Sequence, residues 1–290
     1  SRPTGVIVGG GRAGGDDVRL REPLPMVLLV HGGPWARDRW GFSPLHQLLA
    51  NRGYAVLSVN FRGSTGFGKR FVNLGDRAWG GAMQDDLADA VAWAVDHGIA
   101  DSERVAIMGA SYGGYASLMG LARDPDLFAG GVALVAPTNL VSLLESIPPY
   151  LEALSDLWRT RVGDIRSDEG RAFLATRSPL GKAESIRDPL LIAHGVRDPR
   201  VPRAESDAMV EALRAADRDV AYLLFPDEGH GLARSENRLA YYALAEAFLS
   251  NVLGGRAEPI GSALDASSVR IEMGEAWVRP SPIPVGGEAR

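Results

Sequence analysis

Residues 105–116 read Val-Ala-Ile-Met-Gly-Ala-Ser-Tyr-Gly-Gly-Tyr-Ala. Val105 to Met108 have the composition of a buried parallel strand, and Tyr115 to Leu121 continue in a helical pattern. Between them lies Gly109-x-Ser111-x-Gly113. A serine on a sharp strand-to-helix turn has strained backbone geometry, and the turn holds its hydroxyl out beyond the sheet edge. Small neighbours let other segments pass close, and the helix N-terminus behind the serine favours developing negative charge. The five-residue pattern alone arises often by chance, and its plain alternative is a Gly-rich turn. Strand, motif and helix in this order mark Ser111 as a nucleophile.

Such a serine needs an acid and then a histidine further along the chain. Pro189 to Gly195 form an apolar strand running into a turn, and Asp198 follows at its carboxyl end. Val220 to Phe225 form another apolar strand, and Pro-Asp-Glu-Gly-His-Gly places His230 in the loop beyond it. Asp198 would fix the tautomer of His230, which would take the Ser111 proton and return it to the leaving group. The chain has five histidines. His46 and His97 sit in helical patterns and are expected at the surface or at helix ends. His194 ends a strand ahead of the acid loop and reads as structural, and His31 opens a separate turn. Asp188 precedes its strand, at the wrong end of the sheet, and Asp227 lies too close to His230 in sequence.

That separate turn follows the first core strand, Met26 to Val30, as His31-Gly32-Gly33-Pro34-Trp35. Acyl transfer needs two donors aimed at a carbonyl oxygen as it turns tetrahedral. One is expected from the N–H of Tyr112, after the nucleophile, and the other from Gly33 in this loop. Strands and helices alternate from residue 26 onward, with Tyr54–Val59 and Gly131–Val135 as further strands and Met83–His97 as a helix. This predicts an α/β-hydrolase fold, with a mostly parallel central sheet and helices on both faces. Residues 138–187 read as a helical excursion whose Leu143, Leu144, Tyr150, Leu154, Leu157 and Trp158 either wall a side-chain pocket or pack in the core.

Several strings resemble the catalytic domain of the prolyl oligopeptidase family, in the branch with acylaminoacyl peptidases and dipeptidyl aminopeptidases. They are His-Gly-Gly-Pro-Trp-Ala-Arg-Asp (31–38), Val-Asn-Phe-Arg-Gly-Ser-Thr-Gly-Phe-Gly (59–68), Gly-Ala-Ser-Tyr-Gly-Gly-Tyr (109–115), Asp-Pro-Arg-Val (198–201) and Phe-Pro-Asp-Glu-Gly-His-Gly (225–231). The resemblance implies a serine peptidase acting on short peptides with no cofactor. It assigns Ser111, Asp198 and His230 to the triad, and Tyr112 and Gly33 to the oxyanion donors. It also matches Arg200 to an arginine that holds a carbonyl of the bound peptide; the alternative is a loop arginine paired with a carboxylate. Trp158 and Tyr150 join Arg200 as candidate substrate contacts. Family members usually carry a β-propeller ahead of the hydrolase domain, and no propeller is expected in the residues before Met26. Ala110 stands where many relatives have glycine.

Composition agrees with one large domain, since 290 residues that are 46% hydrophobic can bury a full core. The expected division is a Gly-rich lead-in over 1–25, the catalytic domain over 26–255, and a loosely packed tail over 256–290 with one short strand near Val269–Met273. A net charge of −5 gives no basic footprint, so nucleic acid is not expected as a partner. With no cysteine, disulfides and thiolate metal sites are excluded, and no metal-ligand spacing is evident. No apolar run approaches the ~20 residues of a membrane span, and no signal peptide is visible; the compartment stays open, with the cytoplasm favoured. The composition is compatible with a homo-oligomer. Gly9-Gly10-Gly11-Arg12-Ala13-Gly14 fits a dinucleotide-binding pattern, but the residues after it are too few and too charged for the required helix. The functional expectation is therefore a serine peptidase, with a carboxylesterase acting on small or polymeric esters as the alternative and a non-catalytic binding module behind both.

Overall fold

Runs such as Met26–Val30 and Leu190–Ala193 are apolar at every position, which only a strand covered on both faces can use. The computed structural model describes residues 22–147 and 155–279. Its strands are β1 (Leu24–Val30), β2 (Ala55–Ser58), β3 (Ala100–Ala110), β4 (Gly130–Leu134), β5 (Leu190–Gly195), β6 (Val220–Phe225) and β7 (Arg270–Met273). They form one sheet in the order β2-β1-β3-β4-β5-β6-β7. Every neighbouring pair is parallel except β6 and β7. This is the α/β-hydrolase architecture, with the parallel strands all ending on the edge where the site forms.

Successive residues of a strand point to opposite faces, so each strand feeds two cores. Leu28, Ile107 and Ile192 pack with Leu87 of α3 (Ala82–Asp96), Leu118 of α4 (Tyr112–Arg123) and Met209 of α8 (Arg203–Ala215). Val27, Ala106 and Leu191 face the other way, towards Leu49 of α1 (Pro44–Asn51) and Leu244 and Phe248 of α9 (Ser235–Leu253). All residues of α4 from Tyr112 to Ala122 are buried, so the helix behind Ser111 is held on every side. The long excursion between β4 and β5 contains α5 (Leu140–Glu145), α6 (Ser155–Arg161) and α7 (Asp168–Thr176), and α2 (Lys69–Asn73) precedes α3.

His46 meets the expectation of a helix end but not of the surface. It lies in the first turn of α1, yet is buried, with its Nε2 2.9 Å from Ser58 Oγ at the end of β2. The partner comes from a different element, so a helical pattern alone did not place it. His97 caps the end of α3 and is exposed, its Nδ1 2.7 Å from the Trp93 carbonyl. Beyond α9, the Gly- and Pro-rich chain still contributes structure: β7 adds the antiparallel seventh strand, Trp277 packs on Phe248, and Val278 is fully buried. The Gly9–Gly14 segment lies outside the described residues. Among those residues, no helix is long and apolar enough to cross a membrane.

Candidate active site

Ser111 joins β3 to α4 with φ 58° and ψ −119°, a backbone conformation that a side-chain-bearing residue adopts only when its surroundings impose it. Here the surroundings do. The Ser111 N–H donates to the Leu134 carbonyl at 2.9 Å, and its own carbonyl accepts from Tyr115 N at 2.9 Å. A Cβ on Gly109 would meet the Gly113 backbone at 2.5 Å, and one on Gly114 would meet Ala136 Cβ at 2.8 Å. Only glycine fits where strand and helix fold back on each other so tightly. Tyr112 opens α4, so its N–H is among those at a helix start with no acceptor within the helix.

The acid and the histidine come from the next two strand ends. Asp198 follows β5, and its Oδ1 accepts from the N–H groups of Arg200 and Val201 at 2.8 and 3.0 Å. Its Oδ2 lies 2.7 Å from His230 Nδ1, and His230 Nε2 lies 2.9 Å from Ser111 Oγ. Burial alone would raise the Asp198 carboxyl. The hydrogen bonds from His230, Val201 and Arg200 outweigh burial and hold it below the usual carboxylate range. An ionised carboxylate only accepts, so His230 carries its proton on Nδ1, leaving Nε2 to accept from the serine hydroxyl. The two loops are themselves locked: Arg197 N donates to the Glu228 carbonyl at 2.8 Å, and a Cβ on Gly195 would overlap Gly229. Glu228, buried, accepts from Ala233 N, Arg234 N and Asn237 Nδ2 and so shapes the histidine loop.

The turn after β1 is held from below by the segment 59–68. His31 stacks on Phe61 with ring centroids 4.4 Å apart, and its Nε2 lies 2.9 Å from Ser64 Oγ. Its Nδ1 lies 2.9 Å from the Gly32 carbonyl, so Nδ1 donates and Nε2 accepts from the serine hydroxyl. Burial holds the imidazole below its ordinary pKa and keeps it in this neutral form. Asp38 N donates to Asn60 Oδ1 at 2.8 Å, Asn60 Nδ2 returns a bond to Asp38 O at 3.1 Å, and Thr65 N reaches Ala36 O at 2.8 Å. The segment is tied down in turn by Arg62, whose guanidinium grips both oxygens of Asp86 at 2.8 and 2.6 Å. Asp86 thus has a specific partner, and Asp85 beside it pairs with Arg123 at 2.7 Å.

A cavity of about 460 Å³ opens on Ser111 and His230, with Gly33 and Tyr112 on its wall. Leu143, Ile147, Trp158 and Val201 make its apolar lining, and Arg200 contributes a cation at the rim. Of the expected pocket residues, Trp158 and Leu143 are present, Leu144 is buried beside them, and Leu157 is partly exposed and outside the cavity lining. Tyr150 and Leu154 lie outside the described residues. Trp79 and Pro137 also line the cavity and were not anticipated. Trp79 comes from the loop before α3 and packs edge-on against Tyr112 at 4.7 Å, a contact that no local spacing announces. Among the described residues, no cluster of histidines and carboxylates could hold a metal ion.

Residues 40–256 match the prolyl oligopeptidase family. The chain is 55% identical over 259 residues to dipeptidyl aminopeptidase BIII of Pseudoxanthomonas mexicana, covering 89% of this chain and 38% of that protein. It is 50% identical over 238 residues to dipeptidyl peptidase family member 6 of Caenorhabditis elegans, covering 82% and 32%. Among solved structures, a puromycin-hydrolyzing peptidase of Mycobacterium tuberculosis superposes with a TM-score of 0.76 at 29% identity, over 83% of this chain and 36% of that one. The chain therefore spans well under half the length of the relatives it matches. By sequence motif, fold and family match together, it belongs to the prolyl oligopeptidase family.

Proposed function

We propose that residues 26–255 form the body of the catalytic unit of a serine peptidase that cleaves short peptides through an acyl-enzyme, with residues 1–25 leading in and 256–290 following, and with Leu24 opening β1 and Arg270–Met273 adding the seventh strand to its sheet. The observation that carries this reading is the continuous chain of hydrogen bonds Asp198–His230–Ser111 at the mouth of an apolar cavity. Ser111 Oγ attacks the peptide carbonyl as His230 Nε2 takes its proton. The N–H groups of Tyr112 and Gly33 receive the developing oxyanion; losing one such donor typically costs about 3–4 kcal/mol of transition-state stabilisation. His230 then protonates the leaving amine, and water completes the cycle on the acyl-enzyme by the same route.

The cavity favours an apolar side chain at the cut, set among Trp79, Leu143, Ile147 and Trp158. Arg200 would hold a carbonyl of the peptide further along. Its side chain is exposed at the rim, and the Asp198 carboxylate is taken up by backbone amides and His230 rather than by the guanidinium. The net charge of −5 gives no reason to add nucleic acid as a partner. The test compares peptide anilides of increasing length with a small activated ester on the same preparation. Turnover of the anilides is expected; turnover of the ester alone would replace the peptidase reading with an esterase one.

A further inference from the structure

Beneath the triad acid lies a second histidine that the mechanism does not use. His194, near the end of β5, is fully buried. Its Nε2 lies 3.0 Å from the Val201 carbonyl oxygen and its Nδ1 2.7 Å from Ser206 Oγ. A carbonyl only accepts, so Nε2 carries the proton and Nδ1 accepts from the Ser206 hydroxyl. The charged and titratable groups facing the ring are Asp198, His230 and Asp207. Burial outweighs the two carboxylates and the Val201 carbonyl and keeps the ring below its ordinary pKa, hence neutral.

Val201 is engaged at both ends of its backbone. Its N–H donates to Asp198 Oδ1 at 3.0 Å, while its carbonyl is held by His194. The turn from Asp198 to Val201 is otherwise free of regular structure, so this pair of bonds, together with Arg200 N on Oδ1 and His230 Nδ1 on Oδ2, fixes where the Asp198 carboxylate points. His194 Nε2 also stands 3.7 Å from Asp198 Oδ2, the oxygen that receives His230. Ser206, which orients the ring, sits in the first turn of α8 beside Glu205. The Glu205 carboxylate accepts from Thr138 N at 2.8 Å and Asn139 N at 2.7 Å, anchoring that turn to the start of α5. The support beneath Asp198 is thus fixed to the element that carries Leu143 of the cavity wall.

We propose that His194 is a positioning residue for the triad: its Nε2–H, acting through the Val201 carbonyl, sets the turn that aims Asp198 at His230. The proposal rests on the triad reading above. Two amide substitutions separate this role from simple core packing. His194→Gln places a nitrogen near the position of Nε2, and His194→Asn places one near Nδ1. Both are followed by kcat, by KM on a peptide anilide, and by the rate at which a fluorophosphonate labels Ser111. In His194→Asn, kcat and the labelling rate should fall together by about 10–100-fold, the scale of loss when the hydrogen-bond partner behind a metal-ligating side chain is removed. KM should rise by less than kcat falls, because Arg200 and Val201 move with the turn while Trp79, Leu143, Ile147 and Trp158 of the cavity stay in place. His194→Gln should recover most of the loss. Equal kcat in the two variants, or a folded His194→Asn protein with the parent's kcat, would overturn the proposal.

Ser206→Ala gives a second route that keeps the histidine and removes only the hydroxyl that holds its ring in orientation through Nδ1. There kcat should fall by more than KM rises, and an unchanged kcat would again contradict the role. Asp198→Asn serves as the control. If it retained full activity, the triad reading itself would fail, whereas its loss beside parental rates in the His194 and Ser206 variants would remove only the role of His194.

Discussion

A Cβ on Gly113 would overlap the carbonyl oxygen of Val30, so the helix behind Ser111 rests directly on the strand that leads into the Gly32-Gly33 turn. Alanine in place of a helical glycine normally gains up to about 1 kcal/mol. Here the obstacle is backbone, which cannot rotate away, and overpacking costs about 1–3 kcal/mol. Gly113→Ala should therefore lower stability in urea unfolding and slow hydrolysis as Ser111 shifts. A gain in stability would mean that helix and strand are not in contact.

His31 is the next test, because it does not line the Ser111 cavity and yet binds the carbonyl of Gly32 and stacks on Phe61. His31→Ala should slow peptide and ester hydrolysis alike, by up to the roughly 10²–10³-fold that losing one oxyanion donor costs in kcat. Parental kcat in the folded variant would show that the turn holds its shape without the imidazole.

Arg200 separates peptide from ester. If its guanidinium holds a second carbonyl, Arg200→Ala should cost about 1.5–3 kcal/mol in kcat/KM on di- and tripeptide substrates. A small acetate ester offers no such carbonyl and should lose much less. Equal losses would mean that Arg200 serves the Asp198 turn instead.

The Asp198 carboxyl is held below the usual range, with its hydrogen bonds outweighing burial. Its native contacts therefore stabilise the fold above the unfolded carboxylate value of about 3.9, and that contribution disappears as pH falls through the lowered native value. Asp198→Asn should be less stable than the parent near neutrality, and the gap should close as the pH drops below about 4. A gap that stays constant on acidification would show that the charge on Asp198 contributes nothing to folding.

Much of this was legible because it is local. The elbow announces itself in twelve consecutive residues, and the strand preceding each loop places Asp198 and His230 at neighbouring strand ends. The segment 59–68 was visible as a motif, but its work was not: Phe61 and Ser64 act on His31, a partner in another loop. The same limit hid the burial of His46 against Ser58 and the place of Trp79 in the cavity wall. Beyond α9, Ser267 and Ser268 hydrogen-bond to Asn237 and Asp227 beside the histidine loop, which a Gly- and Pro-rich composition does not suggest. Contacts between elements decide these positions, and spacing within one element carries no trace of them.

The most direct measurement follows Ser111 itself. Parent and Ser111→Ala proteins, matched by circular dichroism, are assayed on a peptide anilide and then treated with a fluorophosphonate probe and weighed intact. The parent should hydrolyse the anilide and gain one phosphonyl group. The variant should remain folded, take up no probe and lose activity by a factor on the order of 10⁶, as triad nucleophiles do. A folded Ser111→Ala protein that still cleaved the peptide at a comparable rate, or still carried the label, would contradict the assignment of Ser111 as the nucleophile.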